Sequence, residues 1–176
     1  MENQCIVVIG AGQMGSGIAQ VAAEAGYRVI LHDVASDFVR NGMSRIDKAL
    51  SSQVQKGKID EEQKRGILSR IQGTVSYDEA RDAHVIIEAV FEDADVKAKI
   101  FSVLDEICRP ETVFATNTSS IPITRLAASV KRADRFIGIH FFNPPQVMRL
   151  VEIIPGLKTS PETVLQARQL IDSLKK

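Results

Sequence analysis

The sequence has no tryptophan, only two cysteines among 176 residues, and an aromatic content of 5%. Nor does either sign of charge prevail, since Lys+Arg and Asp+Glu both number 22. Each shortage excludes something. Balanced charge argues against a nucleic-acid binder, whose grip on phosphate needs a surplus of cations, and gives no reason to expect an anionic membrane surface as partner. Charges interrupt every apolar stretch well short of the roughly 18 residues of a membrane span. Cys5 and Cys108 lie far apart without metal-ligand spacing. They read as buried thiols of a reducing compartment rather than a disulfide, and no metal site is expected. Met1-Glu2-Asn3-Gln4 leads straight into an apolar strand with no basic region or cleavage site, so a cytoplasmic protein is expected. What is present is 44% hydrophobic content, enough for one domain with a sizeable core.

Strand-like and helix-like patterns alternate, which signals an α/β fold with a mainly parallel sheet covered by helices on both faces. Cys5-Ile6-Val7-Val8-Ile9 is a wholly apolar run ending at glycine, as suits a strand buried on both faces. A small, alanine-rich helix is expected over Gln13 to Ala25, ended by Gly26, then a strand over Tyr27 to Asp33. Ser36 is placed to cap a long helix with the inner stripe Val39, Met43, Ile46, Leu50, Val54. After Gly57, Asp60 and Gln63 form a capping-box pattern that opens another helix, to about Ile71. The helical pair, over about residues 36–72, is longer than a minimal crossover and reads as an arm inserted after the second strand. Further strands are expected at His84–Val90, Thr112–Ala115, Arg135–Phe142 and Met148–Ile154, with helices over Val96–Cys108 and from Ser160-Pro161-Glu162 onward.

The turn Gly10-Ala11-Gly12-Gln13-Met14-Gly15 follows a buried strand and opens a helix, and Asp33 ends the next strand. That context makes a Rossmann-type, doubly wound dinucleotide fold the expectation. Gly10 permits a tight turn, Gly12 lets backbone approach a pyrophosphate, and Gly15 lets helix and strand pack closely. The helix N-terminus offers free N–H groups and the positive end of its dipole. Asp33 can accept from both ribose hydroxyls and repels a 2′-phosphate, which favours NAD over NADP. Arg28 lies at the strand's other end, and a neutral His32 recruits a phosphate only weakly.

His140 stands near the end of an apolar strand, where open α/β sheets place ligands. It reads either as a satisfied core residue or as a general base taking a proton from an alcohol. Glu152 lies in the apolar run Leu150-Val151-Glu152-Ile153-Ile154, where a carboxylate is costly unless paired. His140 is its natural partner, because a carboxylate on one ring nitrogen fixes the tautomer and stabilises the imidazolium. Ser119 and Asn143, at strand ends, read equally as groups that bond a substrate oxygen or as ordinary turn chemistry.

These residues resemble the L-3-hydroxyacyl-CoA dehydrogenase family. The matching stretches are Gly10–Gly15, Glu88-Ala89-Val90-Phe91-Glu92, Asn117-Thr118-Ser119-Ser120, His140-Phe141-Phe142-Asn143-Pro144 and Leu150-Val151-Glu152, in family order along the chain. The resemblance implies oxidation of (S)-3-hydroxyacyl-CoA, with a short acyl chain, to 3-oxoacyl-CoA and the reverse. His140 is then the catalytic base and Glu152 its orienting partner, with Ser119 and Asn143 at the reacting region and the nicotinamide. Glu92, Lys97 and Asn117 join Gly10, Gly12, Gln13, Met14, Gly15 and Asp33 in holding NAD. Lys56 and Lys58, at the end of the long helix, match positions that meet coenzyme A, or else are a solvated helix end. Family members carry a further all-helical domain of about one hundred residues that supplies dimer contacts and part of the acyl site, and this sequence stops before it. The expectation is therefore NAD binding with little turnover by these residues alone. The competing readings are another 3-hydroxyacid dehydrogenase of the L-gulonate type and an NAD-binding module without catalysis.

Overall fold

Five successive buried apolar residues make β1 (Cys5–Ile9) an interior strand of the sheet in the computed structural model, which describes residues 4–176. The N-terminal reading of Met1 to Asn3 lies outside the described residues. The chain continues through α1 (Gln13–Glu24), β2 (Arg28–His32), α2 (Ser36–Gln55), α3 (Glu61–Leu68) and β3 (Ile71–Thr74). The second half is β4 (Val85–Glu88), α4 (Ala94–Ile107), β5 (Val113–Thr116), α5 (Ile123–Ala127), β6 (Phe136–Phe141), β7 (Val151–Pro155) and α6 (Pro161–Ser173). The seven strands lie in the order β3-β2-β1-β4-β5-β6-β7. All neighbours are parallel except β6 and β7. The order reverses between β1 and β4, the switch point at which doubly wound sheets open a ligand crevice beyond the strands' carboxyl ends.

The core has two layers. On one face Ile6, Val8, Leu31, Ile87, Ala115 and Ile139 meet apolar residues of α1, α2, α3 and α6. On the other, Val7, Ile9, Ile86 and Phe114 meet Ile100, Phe101 and Leu104 of α4 and Ile123 and Leu126 of α5. Near-continuous Val/Ile runs follow from this burial on both sides.

The helical pair after β2 is the crossover to β3. Ile46, Leu50 and Ile67 are buried in the same cluster as β1 and α1, with Met43 packed against it. The capping box that opens α3 is present in both halves, the Gln63 amide donating to Asp60 (2.7 Å) and the Asp60 amide to the Gln63 side chain (2.9 Å). Three local expectations are corrected. Ser36 does not cap α2. It is the first helical residue, after Ala35, whose carbonyl accepts the first helical bonds from Phe38 and Val39. The second helix stops at Leu68 rather than near Ile71, and residues 71–74 form the edge strand β3. An edge strand has one neighbour, so Ile71 alone needs burying and no apolar run marks it. The last strand covers Val151–Pro155, not Met148–Ile154, because Met148 and Leu150 lie exposed in the connection before it.

Phe101 is fully buried, with its ring edge-on to Phe114 (6.0 Å between centroids) and Phe136 (4.6 Å). Phe101→Ala is expected to cost ~3–5 kcal/mol, read as a lower urea midpoint at unchanged slope. A cost below about 1 kcal/mol would contradict its place in the core.

Candidate active site

The turn between β1 and α1 is built by backbone that no side chain could enter. Gly10 has φ +102°, and a Cβ there would stand 2.8 Å from the Ala89 carbonyl oxygen. A Cβ on Gly15 would fall 1.7 Å from the Gly10 carbonyl oxygen, so the first turn of α1 rests directly on the loop. At Gly12, by contrast, an added Cβ would meet nothing within 4 Å. The loop thus opens a bare backbone cradle at the helix N-terminus, and α1 has neither a side-chain cap nor an acidic residue in its first turn. Its first N–H groups are left for an anion, which fits a pyrophosphate.

Asp33 follows β2 and braces this turn. Its Oδ2 accepts from the Ala11 amide and its Oδ1 from the Val34 amide, both at 2.7 Å. Arg45 of α2 donates to the Ala11 carbonyl (3.1 Å). His32 is buried beneath, stacked on Tyr77 with ring centroids 4.2 Å apart, and its Nδ1 has no partner among the described residues. Burial pushes its pKa below the ordinary 6.5, against the opposing pull of the Val75 backbone and the Asp33 carboxylate. A neutral ring there leaves Asp33 to decide the local charge.

On the other side of the switch point, β6 and β7 pair with His140 directly opposite Glu152. His140 Nδ1 lies 2.9 Å from Glu152 Oε2. An ionised carboxylate only accepts, so Nδ1 carries the proton and the Nε2 lone pair is left to take another. The His140 ring also packs obliquely on Phe142 (4.7 Å). Just past β6, Asn143 Oδ1 accepts from the Gln13 side chain (3.0 Å), joining this half of the site to the start of α1. Asn117 serves the scaffold, its Oδ1 accepting from the Phe141 amide (2.8 Å).

Ser119 sits in the loop after β5, and this loop is held by Glu92. Glu92 Oε1 accepts from the Thr118 hydroxyl, the amides of Ser119 (3.0 Å) and Ser120 (3.2 Å), and the Ser120 hydroxyl (3.2 Å). Burial pushes this carboxyl's pKa up, but Thr118, Lys97 and the two amides outweigh it and hold the pKa below the ordinary range. Lys97 is buried between Glu88 (2.7 Å) and Glu92 (3.4 Å).

The structure therefore gathers Gly10, Gly12, Gln13, Met14, Gly15, Asp33, Glu92, Lys97, Asn117, Ser119, His140, Asn143 and Glu152 along one edge of the sheet, on the loops and strand ends of β1, β2, β4, β5 and β6, on the first turns of α1 and α4, and on β7. Lys56 and Lys58 are not among them. They follow the far end of α2, roughly 16 Å along the helix from Arg45, which touches the glycine turn at Ala11. Glu88, Thr116, Thr118 and Arg45 were missed by sequence reasoning. Glu88 carried a signal, being a carboxylate inside an apolar strand like Glu152. Lys97, named through the family resemblance, also carried a signal of its own, being in line with the buried Ile100, Phe101 and Leu104 of α4.

Residues 5–176 match the family model described as 3-hydroxyacyl-CoA dehydrogenase, NAD binding domain. The chain is 46% identical over 176 residues to a probable 3-hydroxybutyryl-CoA dehydrogenase of Bacillus subtilis, covering all of this chain and 61% of that protein. It is 47% identical over 169 residues to the 3-hydroxybutyryl-CoA dehydrogenase of Bradyrhizobium diazoefficiens, covering 96% of this chain and 58% of the relative. The crystal structure of an (S)-3-hydroxybutyryl-CoA dehydrogenase from Ralstonia eutropha superposes with a TM-score of 0.96 at 43% identity, over 98% of this chain and 61% of the other. The chain thus spans about three fifths of the length of these relatives.

His32 carries a pH dependence. Its folded pKa lies below its unfolded value, so the unfolded chain takes up the proton first as pH falls. The stability it contributes is complete above the unfolded value of 6.5 and is lost as pH falls below that. Between about pH 7.5 and about pH 5.5 the melting temperature should drop less in His32→Phe, which keeps the Tyr77 stack, than in the native chain. His84 titrates alike in both, so equal drops would refute the assignment.

Proposed function

The chain belongs to the 3-hydroxyacyl-CoA dehydrogenase family, over that family's NAD binding domain, and from that premise we propose that the protein interconverts (S)-3-hydroxyacyl-CoA and 3-oxoacyl-CoA with a short acyl chain such as 3-hydroxybutyryl. The observation that carries the reading is the His140–Glu152 pair, 2.9 Å apart, with Nε2 free at the sheet's ligand-binding edge. Bound NAD⁺ supplies the acceptor for the hydride that leaves C3 of the substrate. His140 Nε2 takes the hydroxyl proton, and Glu152 steadies the imidazolium through the proton on Nδ1. In the reverse direction the same ring returns the proton to the carbonyl oxygen. The Ser119 hydroxyl and Asn143 amide orient the reacting oxygen and the nicotinamide side. The backbone of Gly10 to Gly15 receives the pyrophosphate, and Asp33, each of whose oxygens accepts one amide, has a lone pair left on each for the ribose hydroxyls. Glu92 and Lys97 support the nicotinamide half.

The acyl-CoA partner, coenzyme A contact by Lys56 and Lys58, homodimerisation through the family's all-helical domain and a cytoplasmic setting belong to the same reading. No helix among the described residues is long and apolar enough to cross a membrane. The 176 residues alone are expected to bind NAD(H) with little turnover.

The test is NADH oxidation with acetoacetyl-CoA, against free 3-oxoacids, by these residues alone and by the protein that carries them. His140→Ala should lower kcat at least about 100-fold with NADH affinity within about twofold. Normal turnover in that variant would refute the base. A preference for free acids would favour an L-gulonate-type enzyme, and sustained turnover by the 176 residues alone would refute the requirement for more chain.

A further inference from the structure

At the middle of the sheet's carboxyl edge lie two buried charges, Glu88 at 0% exposure and Lys97 at 1%. Glu88 is the one to which the proposed chemistry assigns no task. Its carboxylate is well satisfied. Oε1 accepts from Lys97 Nζ and from the Val90 amide, and Oε2 from the Thr116 hydroxyl, each at 2.7 Å. Lys97 Nζ donates to Glu88 Oε1 and to the Val90 carbonyl (3.4 Å) and stands in ionic contact with Glu92 Oε2 (3.4 Å). Lys97 is thus a buried cation shared between an inner carboxylate, Glu88, and an outer one, Glu92.

The chain of contacts continues outward. Glu92 uses Oε2 on Lys97 and Oε1 on the hydroxyl and amide groups of Thr118, Ser119 and Ser120. Thr118 turns the loop further by accepting from the Ile121 amide (2.9 Å). An apolar pair would fill the space of Glu88 and Lys97 without the cost of desolvating two ions. What an apolar pair would lack is a fixed cation beneath Glu92. We propose that Glu88 is a positioning residue for the reaction: it fixes the Lys97 ammonium, which anchors Glu92, which in turn sets the Thr118–Ser120 loop and so presents Ser119. This deepens, and rests on, the reading of Ser119 as a group at the nicotinamide end of the dinucleotide.

The test compares NADH with ADP-ribose, which lacks the nicotinamide, on the native chain and on Glu88→Gln, together with amide hydrogen exchange in the absence of ligand. Glu88→Gln should weaken NADH at least about fivefold while ADP-ribose, held at the untouched glycine turn, stays within about twofold. The Ser119 and Ser120 amides should exchange about tenfold faster or more, with β1 amides unchanged. Equal weakening of both ligands, retained protection of Ser119 and Ser120, or equal acceleration in β1 would overturn the proposal in favour of a purely structural ion pair. If Glu88→Gln does not fold, Glu88→Gln combined with Lys97→Met removes both charges. It should fold and show the same selective loss of NADH, and a native NADH to ADP-ribose ratio in it would overturn the proposal. Exchange is read without ligand, so a native chain that failed to bind NADH would count against the dinucleotide reading alone.

Discussion

At Gly10 backbone from three elements converges with no room for a side chain. Its amide donates to the His32 carbonyl at the end of β2 (2.8 Å), its Cα faces the Ala89 carbonyl after β4, and its own carbonyl is roofed by Gly15 of α1. This one constraint sets the distance between the two halves of the sheet at the switch point and the angle at which α1 leaves it. Asp33, Arg45 and Gly42 gather around the same turn, with Gly42 pressed against Ala11 so closely that a Cβ there would lie 2.9 Å from the Ala11 Cβ. The crossover helix α2 is therefore seated on the nucleotide turn. A distortion of either reaches the other through main-chain contact and needs no flexible side chain to carry it.

The second organising feature is electrostatic. Two acids and a lysine lie at or just beyond the end of β4, next to that turn, and their energetics differ with depth. Removing one partner of the buried Glu88–Lys97 pair leaves an uncompensated charge, typically worth about 3–5 kcal/mol. Glu92 is part-exposed, and its low pKa comes from the hydroxyl and amides of a loop as well as from Lys97. The inner pair is thus rigid, while the outer carboxylate joins it to the Thr118–Ser120 loop. Such a gradient, from a saturated buried pair to a partly solvated clasp, holds a loop in place while its outer face remains open to solvent.

Much of this was legible in the residues, for particular reasons. The glycine turn was readable because Gly10 and Gly15 leave no room for a side chain, and β1 because burial on both faces demands an unbroken apolar run. Glu152 stood out as a carboxylate in an apolar run, but its premise of burial fails: β7 is an edge strand and the Glu152 side chain is 50% exposed, so its pairing with His140 is not forced by desolvation. The burial argument does hold for Glu88 and Lys97, yet Glu88 stood inside a motif already assigned to the cofactor, and Lys97 entered through the family resemblance because a lysine in an amphipathic helix is ordinary. Strand β3 was illegible because an edge strand with one buried residue has no period. The short helix α5 follows Pro122 and has only five residues, too few for a repeating stripe. The role of Asn117 as a tie to Phe141 depends on a parallel neighbour and has no local signature.

The antiparallel turn of β7 explains how His140 and Glu152 meet. A parallel strand needs a crossover of a dozen residues or more, usually a helix, whereas the short connection through Pro144 and Pro145 can only reverse the chain. Reversal sets residues of adjacent strands directly opposite, on one face, which is how a carboxylate comes to lie against an imidazole. With 18% and 50% of the side chains exposed, this pair contributes little to stability. Its value lies in orientation, and orientation relative to the glycine turn is secured elsewhere. The connection itself is tied to α1, through Gln13 to Asn143 (3.0 Å) at the helix start and Gln20 to Gln146 (3.3 Å) two turns later. The segment that reverses the strand is therefore also the one that registers the imidazole against the nucleotide turn, so a change in the helix face carrying Gln13 and Gln20 would reach His140 without touching it.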